Sequence, residues 1–137
     1  MKKKIFALDD ERIYLKFLKE RFKDCDFVFE TNPNKWLDYV NEVKPDLNQY
    51  DYIICDYYFD NIAMSAFELK LSKYIREYGF NNYLVLCSNL SHISQEALEK
   101  NEFFDAVYDK NIEEIYKGVN NLSEESVLRK KWKSRES

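Results

Sequence analysis

Four short apolar runs in this chain each stop at a residue suited to phosphate or metal chemistry. Ile5–Leu8 runs into Asp9-Asp10, Tyr52–Cys55 into Asp56, Tyr83–Cys87 into Ser88, and Ala106–Tyr108 into Asp109-Lys110. Short continuous apolar runs suit strands buried on both faces, as in a parallel sheet. If the four run parallel, their ends lie along one edge of one sheet, where open α/β folds bind ligands. Carboxylates, a hydroxyl and an amine then converge on a single pocket.

The intervening segments carry helical spacing. Ile13, Phe17, Leu18 and Phe22 follow the first run. Phe27–Phe29 is a further strand, and Asn32-Pro33 opens a second helix bearing Trp36, Leu37, Tyr39, Val40 and Val43, with proline suited to the first turn. A loop from Asp56 to about Met64 leads into a third helix with Phe67, Leu69, Leu71, Tyr74, Ile75 and Tyr78, stopped by Gly79. Ser91, or alternatively Ser94, starts a short helix with Ile93, Ala97 and Leu98. Ile112, Ile115, Tyr116, Val119 and Leu122 mark a last amphipathic helix. Strands alternating with helices predict an α/β fold with right-handed crossovers. The expected form is flavodoxin-like: a doubly wound five-stranded parallel sheet, order 2-1-3-4-5, with five helices. Strand one then lies about 4.8 Å from strand three, and Asp10 and Asp56 share the switch-point crevice. Ser88 and Lys110 follow on strands four and five.

Composition narrows the function classes. At 137 residues with 45% hydrophobic and 34% charged side chains, the chain suits one globular domain. Residues 1–122 are expected to form it, with 123–137 a basic tail or helix extension. The net charge of -4 argues against a dominant nucleic-acid surface. The tail's Arg129, Lys130, Lys131, Lys133 and Arg135 form one basic stretch without a reading motif. No apolar stretch approaches the ~18 residues of a membrane span, and the basic start precedes too few apolar residues for a signal peptide. A cytoplasmic protein without membrane partners is expected. The two glycines, Gly79 and Gly118, supply neither a P-loop nor a dinucleotide fingerprint. His92, the single histidine, cannot build a metal cluster or a triad. Cys25, Cys55 and Cys87 lack metal-ligand spacing. Cys55 and Cys87 read as small buried hydrophobes, with a redox pair between neighbouring strands as the alternative.

The candidate site begins with Asp9, Asp10 and Asp56. Clustered carboxylates repel unless a cation sits among them, and a hard ion such as Mg²⁺ binds through one or two carboxylates, waters and phosphate oxygens. The plainer alternative is that Asp10 caps the first helix and Asp9 is a surface acid. Asp56 can act as a nucleophile toward phosphorus, giving an aspartyl-phosphate. Lys110 can neutralise the transferred group, or be an ordinary solvated lysine. Ser88 can donate to the same group, or be a strand-end hydroxyl.

As an ordered set, the motifs resemble the receiver domain of two-component response regulators over about residues 3–121. Ile5-Phe6-Ala7-Leu8-Asp9-Asp10-Glu11 resembles the family's opening acidic motif, and Tyr52-Ile53-Ile54-Cys55-Asp56 its phosphoacceptor strand. Leu84-Val85-Leu86-Cys87-Ser88 resembles the strand ending in Ser or Thr, and Asp105-Ala106-Val107-Tyr108-Asp109-Lys110 the strand ending in lysine. The resemblance implies that Asp56 accepts a phosphoryl group from a histidine kinase or histidine phosphotransfer protein. Asp10, Asp56 and the Tyr58 backbone carbonyl would ligate Mg²⁺ directly, with Asp9 acting through water. Lys110 would pair with the phosphoryl group or, before transfer, with Asp56, and Ser88 would turn toward a phosphoryl oxygen. The output would reach a downstream protein effector or an output domain absent from this chain. The enzymatic content would be phosphoryl transfer to Asp56 and slow autodephosphorylation at most.

Several positions depart from the family pattern. Asn111 stands where the family usually has a cis proline. A non-proline cis bond costs about 2.5–4 kcal/mol, so a trans Lys110–Asn111 bond is expected. Val107 occupies the place of the aromatic three residues before the lysine, with Tyr108 one place later. Cys87 competes with Ser88 for the switch position, because a one-residue shift changes the face. The stretch Phe59–Ala66 is longer than usual. The Asn111 and Val107 departures support a second reading: a pseudo-receiver, a phosphorylation-independent interaction module.

Overall fold

A strand's pleat sends alternate residues to opposite faces, and in this chain both sets are apolar at the central strands, so helices must cover the sheet on both sides. The computed structural model describes residues 2–55, 70–88 and 103–122. In chain order these form β1 (Lys4–Leu8), α1 (Arg12–Arg21), β2 (Asp26–Glu30), α2 (Pro33–Val43), a 3-10 turn (Leu47–Gln49), β3 (Tyr52–Cys55), α3 (Lys70–Tyr78), β4 (Tyr83–Ser88), β5 (Ala106–Asp109) and α4 (Ile112–Asn121). The strands pair in the order β2-β1-β3-β4-β5, every pair parallel. That is the doubly wound order expected from the sequence. The described residues hold four of the five expected α-helices. The one anticipated from Ser91 to Leu98 lies outside them, as do Phe67 and Leu69.

The register sorts the core into two layers. Phe6, Leu8, Ile53, Cys55, Leu84 and Leu86 pack with Trp36 and Val40 of α2 and Leu71 and Ile75 of α3. Ile5, Ala7, Tyr52, Ile54, Tyr83, Val85 and Cys87 pack with Leu15 and Leu18 of α1, Phe22, and Ile115 and Val119 of α4. Cys55 pairs in register with Leu86, not Cys87, so the two buried cysteines belong to opposite layers. The sheet lies between them, which corrects the alternative of a redox pair; neither forms a disulfide.

The helix termini follow the sequence signals. Asn32 caps α2, its side chain accepting a hydrogen bond from the Lys35 backbone N–H at 3.1 Å, with Pro33 in the first turn. Asn32→Ala is expected to cost about 1 kcal/mol, read as a lower midpoint in urea unfolding with an unchanged slope. Gly79 follows α3 at φ 120°, a conformation that favours glycine.

The face of α1 differs from expectation. Leu15, Leu18 and Phe22 are buried, whereas Ile13 and Phe17 are 72% and 61% exposed. Residues 13 and 17 form an i, i+4 row on the side of the helix turned away from Leu15. Tyr39 and Val43 of α2 are likewise exposed. Among the described residues, no helix is long and apolar enough to cross a membrane.

A buried arginine joins α3 to the start of β5. Arg76 and Asp105 are 1% and 0% exposed in their side chains, with Arg76 Nη2 2.9 Å from Asp105 Oδ2. The guanidinium also donates to the backbone carbonyls of Phe103 (2.9 Å), Phe80 (3.0 Å) and Asn82 (2.8 Å). Asp105 Oδ2 accepts in turn from the Leu84 N–H at 3.0 Å. One side chain thus ties the end of α3, the approach to β4 and the approach to β5 together.

Candidate functional site

The C-terminal edge of the sheet assembles the charged residues. At the end of β1, Asp9 is buried. Its Oδ1 accepts a hydrogen bond from the Glu11 backbone N–H at 2.9 Å, turning the chain into α1. Its Oδ2 lies 2.9 Å from the Lys110 ammonium, which reaches in from beyond the end of β5. Lys110 Nζ also lies 3.2 Å from Glu11 Oε2 and 5.1 Å from the centroid of the Tyr14 ring, in cation–π reach. A lysine from one end of the sheet order therefore meets an acid of β1 across the top of β3 and β4. This geometry corrects two of the plainer alternatives: Asp9 is not a surface acid, and Lys110 is mostly shielded rather than freely solvated. The third is corrected as well, because Glu11, not Asp10, holds the N-cap position of α1, and the Glu11 side chain makes no cap hydrogen bond. Asp10 is half-buried beside Asp9.

The other expected site residues are placed less fully. Leu8 pairs in register with Cys55, so the chain leaves β3 toward Asp56 at the level where it leaves β1 into Asp9. Asp56 and Tyr58 themselves, and His92, lie outside the described residues. Ser88 closes β4, its backbone in register with Asp109; its side chain lies outside the description. Cys87 is buried in the layer beneath α1 and α4 and is a core residue.

The departures around Lys110 have local explanations. The described residues contain no cis peptide, so the Lys110–Asn111 bond is trans, as expected. Asn111 caps α4, its side chain accepting from the Glu114 N–H at 3.1 Å. Glu113 and Glu114 in the first turn complement the helix dipole. Val107 packs into the layer of α2 and α3, and Tyr108 into that of α1 and α4. Tyr108 is therefore on the wrong side of β5 to stand in for an aromatic at 107. Its ring instead fills the space beside Gly118, where a Cβ would overlap it. Burial, followed by the nearby Cys87, Glu114 and Tyr52, pushes its phenol up from its ordinary pKa.

Glu11 and Tyr14 as partners of Lys110 were not anticipated from the sequence. The acidic run Asp9-Asp10-Glu11 gave no sign of which acid the lysine meets, because that contact depends on how far β5 stands from β1. The Asn111 cap did carry a signal, an Asn followed three residues later by Glu before an apolar helix.

The donors that the described residues bring together are carboxylate oxygens, which suit a hard divalent cation. Among those residues no group of three potential ligands forms a complete metal site. Mg²⁺ asks for only one or two carboxylates and keeps several waters, so Asp9 and Asp10 fit part of its shell. One Asp9 oxygen already carries Lys110, so a cation and the lysine would share that carboxylate.

No protein-family model matches the chain, and no curated protein matches it. Solved structures do. The receiver domain of a Francisella response regulator is 23% identical over 93% of this chain and 97% of its own, with a TM-score of 0.64. A response regulator receiver domain from Methanospirillum hungatei is 14% identical, covering 98% of this chain and 99% of its own, with a TM-score of 0.68. The response regulator TrrA from Thermotoga maritima, in complex with Mg²⁺ and BeF, is 22% identical over 88% of this chain and 99% of its own, with a TM-score of 0.66. The chain has the fold of these receiver domains.

Proposed function

We propose that this chain, built on the receiver-domain fold, is a phosphorylatable receiver of a two-component or phosphorelay system. Asp56 accepts the phosphoryl group from a phosphohistidine of a kinase or phosphotransfer protein. The phosphorus–nitrogen bond breaks as the phosphorus–oxygen bond to Asp56 forms, and the imidazole leaves. Asp9, Asp10, Asp56 and the Tyr58 carbonyl would hold Mg²⁺, which would supply charge neutralisation for the phosphoryl oxygens. Lys110 contributes a mobile ammonium for the same oxygens, and Ser88 a hydroxyl. Added charge and acceptor oxygens at Asp56 then bias the neighbouring surface and its protein partner.

The observation carrying this reading is the Lys110–Asp9 contact at 2.9 Å. It supports convergence of two of the four sequence motifs on one edge of the sheet, the arrangement phosphoryl transfer to Asp56 requires. Incubation with beryllium fluoride or acetyl phosphate and Mg²⁺ is expected to modify wild type and leave Asp56→Asn unchanged. Fluorine NMR reads the first reagent, and intact mass reads the second as one added phosphoryl group.

A second reading, a pseudo-receiver that binds partners without phosphorylation, is favoured by Val107 and Tyr108 lying in opposite layers. Without an aromatic at position 107, any switching must use other groups. A wild type indistinguishable from Asp56→Asn in the same experiment would support this reading over the first.

A further inference from the structure

We propose that Glu11 is a positioning residue that holds Lys110 on the β1 side of the site until a phosphoryl group draws it away. This rests on the phosphorylatable-receiver reading and concerns how its lysine is controlled. An ammonium has three donors and no acceptor. Here one lies 2.9 Å from Asp9 Oδ2, a second interaction reaches Glu11 Oε2 at 3.2 Å, and the Tyr14 ring lies 5.1 Å away. Glu11 is fixed at its root, because its backbone N–H donates to the other oxygen of Asp9. It occupies an N-cap position, where short polar side chains normally serve the helix, yet its side chain makes no cap bond. The carboxylate is engaged with the lysine instead.

The two acids that meet Lys110 among the described residues differ in burial. Asp9 is 5% exposed and Glu11 61%. Removing the buried partner would leave a poorly solvated charge behind, whereas the exposed partner gives a weak, salt-sensitive hold. An exposed pair of this kind corresponds to a factor of about 1.4 to 5 in an equilibrium. That is enough to bias the resting position of the lysine, and weak enough for a doubly charged group to overcome. A phosphoryl group on Asp56 and the Glu11 carboxylate would compete for one ammonium, so Glu11 sets a threshold for occupancy of the site.

Two measurements on the full chain test this. The first is competitive acetylation of Lys110 by acetic anhydride, read by peptide mass spectrometry, which requires no phosphoryl chemistry. Glu11→Gln is expected to label about 1.4- to 5-fold faster than wild type at low salt, with the difference shrinking at high salt. The second is a beryllium fluoride titration with Mg²⁺, read by fluorine NMR. Glu11→Gln is expected to bind about 1.4- to 5-fold more tightly, and the gain should vanish in a Lys110→Gln background. Equal labelling of wild type and Glu11→Gln overturns the contact. Faster labelling with unchanged affinity overturns the positioning role. If neither wild type nor Glu11→Gln takes up beryllium fluoride, the receiver reading fails and the positioning role with it, while the labelling ratio still decides whether Glu11 holds the lysine.

Discussion

Arg76→Met is expected to destabilise the protein by about 3–5 kcal/mol, the usual cost of breaking a buried ion pair by removing one partner. Domains of this kind are stable by only about 5–15 kcal/mol, so the variant should stand near the threshold of folding. The loss has two sources. Asp105 would keep a fully buried carboxylate stripped of the Arg76 guanidinium, and the carbonyls of Phe80, Asn82 and Phe103 would lose their guanidinium donors. Arg76→Lys should recover only part of the loss, because a compact ammonium cannot fork toward four acceptors spread around a planar guanidinium. The double variant Arg76→Met/Asp105→Leu should also recover part, since it removes the stranded charge but leaves the three carbonyls without the guanidinium and the Leu84 N–H without its carboxylate acceptor. Urea unfolding checks all three. An Arg76→Met unfolding free energy within about 0.5 kcal/mol of wild type would show that the clasp is not needed for folding.

Gly118→Ala should change sign with its background. In a helix interior alanine is favoured over glycine by about 1 kcal/mol. In the wild type, however, the new Cβ would overlap the Tyr108 ring, which is half-buried between β5 and α4. Overpacking of that kind costs about 1–3 kcal/mol, so the net effect should be destabilising, with α4 or the ring displaced. Once Tyr108→Ala has emptied the space, the same Gly118→Ala change should stabilise by about 1 kcal/mol relative to Tyr108→Ala alone. A double-mutant cycle by thermal or chemical unfolding measures the coupling. Additive effects would mean that the ring and the helix do not share this space.

Most of the strand pattern was legible because buried parallel strands have no polar face to confuse the reading. Ile5–Leu8, Tyr52–Cys55 and Tyr83–Cys87 are continuous apolar runs, and β1, β3 and β4 follow them to within a residue. The face of α1 was harder. Ile13 and Phe17 form one helical row, and Leu15, Leu18 and Phe22 another. Spacing cannot say which row meets the sheet, and the first is the one left in water. The ends of the charged motifs were visible in one dimension. The partner of Lys110 was not, since Asp9, Asp10 and Glu11 are adjacent in sequence and chemically alike.

The strand and helix segments, and the acids and lysine standing at the strand ends, were legible in the sequence alone, because period and run length are local properties that backbone geometry converts directly into elements; the doubly wound order was the arrangement expected of strands alternating with helices. The choice of Asp9 and Glu11 for Lys110, the separation of Cys55 from Cys87 by the sheet, and the placing of Tyr108 beside Gly118 were decided only in the tertiary structure. Each of these depends on which face a side chain takes and how far apart two distant segments stand. Such distances arise from packing of the whole core, and no window of neighbouring residues contains them.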